Sequence, residues 1–380
     1  MMKYRVLSSL ACIGCALSLA ACGSDDVDNG ATSTGQGGGG ASTASADPGA
    51  SSTGGASASA GGQGGAATGS GGGTPTGGTT AAGGEAGGGA GAGGSTGTGG
   101  QDEFEPVTIS FGTELEARAV VLEARALATS VADPSSPAWR ARGDQRRTYR
   151  FPAAGADVPY RVCVPERWDG TSELPLVMFL HGAGNDESSY LDQNNKQMVT
   201  LADQHGVLLV SPLGYNGAYG TYLRLPAVFG QPEEAEKLLS MRTPERERDQ
   251  ELSEKDVINV LELVLNEYPI DRSAMFLTGH SMGSAGTWYI GAKYADYWEA
   301  LAPMSGPFVQ ESGYPWDRLR DMPIFVTEGT LGTPSLTGSR ALRDWMMAGG
   351  YAITYKEVDA DHAGMVPLVL PDVFDFFDRP

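Results

Sequence analysis

Three apolar runs constrain this chain more than any other feature. They are "LPLVMFLHG" (174–182), "VLLVSPLG" (207–214) and "AMFLTG" (274–279). Each is continuous rather than alternating, the pattern of a strand buried on both faces. Such strands need helices above and below them, and the sequence supplies these in turn. A helical segment around Lys196–Gln204 stops at His205-Gly206. "SEKDVINVLELVLNEYPID" (253–271) is amphipathic, with Ser253 as a cap candidate and Asp256 three residues on. "TWYIGAKYA", "SRALRDWMMAGG" and "PLVLPDVFDFFD" read as further helices, and "EALAPMSG", "MPIFVTEG" and "YAITYKEV" as further strands. "RRTYRF" and "PYRVCVP" open the series as an antiparallel pair. The alternation predicts an α/β class with a mainly parallel sheet and helices on both faces, one domain over about 140–380.

The rest of the chain differs in kind. Residues 23–101 are almost entirely Gly, Ser, Thr and Ala, with too little apolar surface to offset the entropy of ordering, so they read as a tether. Residues 102–139 are left unassigned, although "ELEARAVVLEARALA" has a helical composition. At the start, Lys3 and Arg5 precede a short apolar run that ends in "LAAC" (19–22), which reads as a lipoprotein signal over 1–22 with lipid attachment at Cys22. The expected location is extracytoplasmic, anchored to a bacterial membrane, and Gly23 after the cysteine resembles an outer-membrane address. Cys163 is the single cysteine of the body and is expected to be a buried small hydrophobe, which leaves no disulfide framework and no cysteine-based metal site. The net charge of −20 resides mostly in the body, which argues against nucleic acid and anionic membrane surfaces as partners and leaves the lipid at Cys22 as the one membrane contact. An insertion over 215–250 is aromatic and glycine-rich first, then densely charged. Tyr219, Tyr222 and Phe229 either line a cleft or pin the loop to the body.

The third buried run leads into Gly279-x-Ser281-x-Gly283. The same pattern occurs in "GGSTG" (93–97) within the low-complexity tract, so the pattern decides nothing by itself. Context decides: Ser281 stands where a buried strand ends and a helix begins, the sharp turn that lifts a serine hydroxyl clear of a sheet. A nucleophilic serine needs a base, and the chain has 4 histidines. His181 opens "HGAG" after the first buried run, His205 ends a helix, and His280 adjoins the serine and points away from it. His362, in the loop after the last strand, alone follows the chain order serine, acid, histidine. The glycines of "HGAG" suit an oxyanion site, with the N–H groups of Ala183 and Met282 as donors.

These blocks together resemble the secreted α/β-hydrolase esterases, most closely the polyhydroxybutyrate-depolymerase-like and feruloyl-esterase-like group, which overlaps predicted extracellular peptidases. "LHGAG", "GHSMGSAGTWYIGAKYADYWEALAPMSGP", "MPIFVTEG" and "DADH" carry the resemblance in order and spacing. It implies an α/β-hydrolase fold and a serine esterase that acts without cofactor or metal on an ester substrate, polymeric or small. The chain departs from that group after "PIFV": Leu331 and Gly332 fill the slot of the triad aspartate. Glu328, at the strand end, is the first candidate for the orienting acid. Glu311 or Asp317 after the preceding strand is the second, and an absent acid the third. Asp359 and Asp361 lie too near His362 along the chain and read as surface charges. The missing aspartate favours esters over peptide bonds, because residual catalysis without the acid suffices for an activated ester. It also keeps open a peptidase and a catalytically impaired surface binding protein built on the same scaffold.

Overall fold

The computed structural model describes residues 111–216, 218–220, 228–231, 243–333 and 335–378. Cys22, the signal and tether segments, Tyr222 and part of the 215–250 insertion lie outside the described residues.

Eight strands form one sheet: β1 (Gly143–Phe151), β2 (Ala156–Val164), β3 (Leu174–Leu180), β4 (Leu208–Pro212), β5 (Ile270–His280), β6 (Ala300–Met304), β7 (Ile324–Gly329) and β8 (Ile353–Val358), in the order β1-β2-β4-β3-β5-β6-β7-β8. β1–β2 and β2–β4 are antiparallel, and every other pairing is parallel. The longer helices are α1 (Glu114–Val131), α2 (Gln197–His205), α3 (Pro244–Glu267), α4 (Met282–Lys293), α5 (Leu336–Ala348) and α6 (Met365–Phe377). This strand order, with the helices on both faces, is the α/β-hydrolase fold.

The continuous apolar runs are explained by the two-fold alternation of side chains along a strand. On β3, Leu176, Met178 and Leu180 pack with residues of α3 and α4, while Val177 and Phe179 pack with α2 and α6 on the other face. β5 repeats the division with Met275 and Leu277 against Phe276, and β7 with Ile324 and Val326 against Phe325. Each such side chain removed from water contributes about 1.5–3 kcal/mol, so neither face can be left bare.

One expectation is corrected by this packing, and one open segment is filled. The long helix begins at Pro244, nine residues before Ser253, with Thr243 as its cap: the Thr243 side chain accepts from the Arg246 N–H. Ser253 is fully buried in the helix interior, where its hydroxyl donates to the Gly214 carbonyl. The unassigned 102–139 segment holds α1, opened by a reciprocal Thr113–Glu116 capping box. Its Ala117, Ala124 and Ala128 are buried, and small side chains let it lie close on α3. Arg125 Nε to Glu262 Oε1 at 3.1 Å and Asn266 Nδ2 to the Ala128 carbonyl at 3.2 Å fix its register there.

Of the insertion aromatics, Tyr219 and Phe229 pin the loop. Tyr219 is buried with its hydroxyl donating to the His181 carbonyl at 3.0 Å, and its amide donates to Ser253 Oγ at 2.8 Å. Phe229 is buried against the Trp345 ring, and its N–H donates to the Pro307 carbonyl at 2.9 Å.

Candidate active site

The carboxyl ends of the parallel strands gather the residues singled out above. At the end of β5, Ser281 adopts φ 58° and ψ −114°, a backbone conformation that L-residues occupy at a cost of about 1–3 kcal/mol and that persists only where its surroundings impose it. The surroundings are visible. The Ser281 N–H donates to the Met304 carbonyl on β6 at 3.0 Å, and the Ser281 carbonyl accepts from Ala285 N–H of α4 at 3.1 Å. The flanking glycines are steric necessities. A Cβ on Gly283 would stand 1.8 Å from the Leu180 carbonyl oxygen, and one on Gly279 would stand 2.4 Å from the Gly283 carbonyl oxygen. Ser281 is half-buried.

The "HGAG" turn lies directly against this serine. A Cβ on Gly182 would meet Ser281 Cβ at 3.5 Å, and Gly184 takes φ +77° to close the turn that Asn185 N–H makes to the Gly182 carbonyl. Met282 is the first residue of α4, so its N–H belongs to the set that a helix cannot satisfy internally. Ala183 is half-buried on the turn itself. The structure therefore brings Ala183, Met282 and Ser281 to one place.

His362 arrives from the loop after β8 and is tied to His280, the residue before Ser281, and to Ser305. Its carbonyl accepts from His280 Nε2 at 2.7 Å, the two rings lie 4.6 Å apart, and its Nδ1 lies 2.8 Å from the hydroxyl of Ser305, the residue after Met304. The loop is stapled further by Leu331 N–H to the Ala360 carbonyl and Thr330 N–H to the Val358 carbonyl, both at 3.0 Å. The Ser281 hydroxyl and Nε2 of His362 each lack a hydrogen-bond partner among the described residues. Burial holds the His362 imidazole below its ordinary value, with the Asp361 charge pulling weakly the other way, so the ring is neutral near pH 7.

The remaining histidines have other partners. His280 is buried between the Tyr190 hydroxyl at Nδ1 (2.6 Å) and the His362 carbonyl at Nε2. The carbonyl can only accept, so Nε2 carries the hydrogen and Tyr190 donates to Nδ1. Burial and the nearby His362 push its pKa down to about 3. His181 is buried between the Gly182 and Leu213 carbonyls, and His205 pairs with Asp378.

At Glu328, the first candidate for the orienting acid, the structure adds most to the sequence. Glu328 is fully buried at the end of β7, and among the described residues it makes no hydrogen bond to His362. Ser305 stands between them: its hydroxyl donates to Glu328 Oε1 at 2.6 Å and lies 2.8 Å from His362 Nδ1. Glu328 Oε2 accepts from Ser335 at 3.0 Å and Ser339 at 2.6 Å, and Oε1 also from Gly329 N–H at 3.2 Å. Burial pushes its carboxyl above the usual range, while these donors favour the charged form. Glu311 and Asp317 are exposed, and neither is bonded to His362. Asp359 and Asp361 are exposed as expected; Asp361 caps the Gly364 N–H at 2.6 Å. Leu331, in the slot where the resemblance places an aspartate, is 54% exposed. The sequence reading missed Ser305 and the clamp made by His280 and Tyr190. The one signal was the run "PMSGP" ending a buried strand, which says nothing of where the hydroxyl points.

Fold and elbow together define an α/β-hydrolase scaffold with a strained serine at the strand-to-helix turn and a half-buried histidine in the loop after β8. Against known proteins, no family pattern matches the chain. A bifunctional acetylxylan esterase/xylanase of Neocallimastix patriciarum is 28% identical over 156 residues, 41% of this chain and 19% of that protein, so the chain spans about a fifth of its relative's length. Among solved structures, a ferulic acid esterase of Anaeromyces mucronatus in complex with ferulic acid aligns with TM-score 0.44 at 17% identity, over 64% of this chain and 94% of that one. An S-formylglutathione hydrolase of Agrobacterium tumefaciens aligns with TM-score 0.46 at 14% identity, over 62% and 94%.

Proposed function

We propose that this chain is an extracytoplasmic serine hydrolase that cleaves carboxylic esters, anchored by lipid at Cys22 as the "LAAC" segment suggests. Ser281 Oγ attacks the ester carbonyl while Nε2 of His362 takes its proton. The N–H groups of Ala183 and Met282 stabilise the oxyanion. His362 returns the proton to the leaving alkoxide, and water then attacks the acyl-enzyme with His362 as base again. No metal or cofactor enters the scheme.

One arrangement carries this reading, the run of hydrogen bonds from Glu328 through Ser305 to His362. With Glu328 ionised, the single hydroxyl hydrogen of Ser305 goes to the carboxylate, so Nδ1 of His362 carries its own hydrogen and Nε2 the lone pair. That is the tautomer a base for Ser281 requires. The sign of the pH dependence follows. The base works unprotonated, and burial lowers its pKa, so the acid limb of kcat/KM has its midpoint below the ordinary 6.5.

A burst assay with p-nitrophenyl butyrate tests the chemistry. Wild type is expected to give a burst followed by steady turnover, and Ser281→Ala neither, a loss of at least about a thousandfold. Equal turnover in the two proteins overturns the proposal. Cleavage of short peptides at rates comparable to esters would move the assignment to a peptidase.

A further inference from the structure

We propose that Ser305 couples Glu328 to His362, so that the carboxylate acts on the base through a hydroxyl and not by direct contact. The inference rests on the esterase reading for its catalytic meaning, and makes Ser305 a positioning residue of that site.

With Glu328 ionised, the geometry admits one pattern of donors. Glu328 accepts four hydrogen bonds, from Ser305, Ser335, Ser339 and Gly329 N–H, and donates none, as an ionised carboxylate does. Among the described residues no Lys or Arg pairs with it. A buried negative charge held only by neutral donors is costly, and a positive charge forming nearby offsets part of that cost. The positive charge that forms here is the His362 imidazolium. The chain of bonds is then Nδ1–H to Ser305 Oγ, and Ser305 O–H to Glu328 Oε1. No proton moves along it. When Nε2 takes the Ser281 proton, the Nδ1–H bond strengthens, and the Ser305 dipole, already aligned by Glu328, stabilises the cation. Each hydrogen bond to a charged partner is roughly twice as strong as a neutral one, so the two bonds reinforce each other in the imidazolium state.

The backbone at Ser305 is built for this placement. It is buried, with φ 51°, a left-handed conformation that a non-glycine residue rarely keeps. It is held there by its own N–H to the Thr327 carbonyl at 2.9 Å and by the Ser284 hydroxyl to the Gly306 carbonyl at 2.7 Å. Both bonds tie the turn after β6 to its neighbours on either side, β7 and α4. The charged or titratable groups that face His362 are Asp361 beside it, His280 on β5 and Glu328 on β7 through Ser305.

The test measures kcat and KM against pH, and the His362 ring pKa by NMR of histidine-labelled protein, in the full chain. The variants are Ser305→Ala, Glu328→Gln, their combination, and Ser339→Ala. Ser339→Ala removes a Glu328 donor of the same kind that does not touch His362. Ser305→Ala is expected to lower kcat about a hundredfold with KM within about threefold, short of the ten-thousandfold seen when a direct triad acid is neutralised. It should also move the His362 pKa down by about one unit, because the imidazolium loses its acceptor. The double variant should be no worse than Ser305→Ala within about threefold, since groups in series are lost only once. Ser339→Ala should leave the His362 pKa in place. An unmoved His362 pKa in Ser305→Ala, or a double variant as impaired as the product of the singles, overturns the coupling. The NMR pKa reads it even in a chain that turns over no ester, so failure of the esterase reading shows separately, as absent turnover in wild type.

Discussion

The elbow side of the site and its acid side are built by opposite means. Around Ser281 the constraint is steric and local. Within five residues the chain must leave a strand, pass an outlying φ/ψ and enter a helix, and the contacts that a Cβ at Gly279 or Gly283 would make are with backbone that cannot yield. Around Glu328 the constraint is electrostatic and assembled at long range. Ser305, Glu328, Ser335, Ser339 and His362 come from four separate segments and meet only through hydroxyl hydrogen bonds. A steric requirement admits one residue type. A hydrogen-bonding requirement admits any donor that can be brought within reach, which is how a serine and a distant glutamate can stand where a single aspartate is expected.

The most direct way to break the elbow side is Gly283→Ala. Its Cβ, 1.8 Å from the Leu180 carbonyl oxygen, forces apart β3 and α4. We expect loss of fluorophosphonate labelling at Ser281 and a fall in stability of about 3 kcal/mol, read from urea unfolding. Full labelling in this variant would show that the turn is less constrained than its geometry implies. A smaller effect is expected where the two sides join. Tyr190→Phe leaves the buried Nδ1 of His280 without a donor, which costs about 1–3 kcal/mol in unfolding experiments while kcat falls less than about tenfold. The smallest effect sharpens the acid side. Leu331→Asp restores the carboxylate that the resemblance calls for, at a position 54% exposed. Because the single Nδ1 proton of His362 is already engaged by Ser305, activity should stay within about threefold of wild type. A tenfold rise would mean that the hydroxyl is a poor substitute for a direct acid.

The same contrast explains what could be read from the residues alone. The buried strands, the opening antiparallel pair, the elbow and the placement of His362 were legible, because each follows from apolar periodicity, from glycine sterics or from chain order. The start of α3 was not: Ser253 has the composition of a cap, but the charged residues before it extend the helix to Pro244, and the serine is used inside the core to hold Gly214. The role of α1 depended on an alanine face meeting α3, a tertiary fact that composition leaves open. For the candidate acid, the sequence put Glu328 first among open alternatives but could not reveal the interposed hydroxyl, since 23 residues separate Ser305 from Glu328 and 57 separate it from His362.

On the proposed esterase mechanism, the bond from His280 to the His362 carbonyl limits how far the base can move. The loop bearing the base hangs from the residue next to the attacking one. A bulky substrate that wedged this loop outward would drag the fifth strand with it and spoil the alignment it needs. The attachment of this loop is therefore a rivet rather than a hinge.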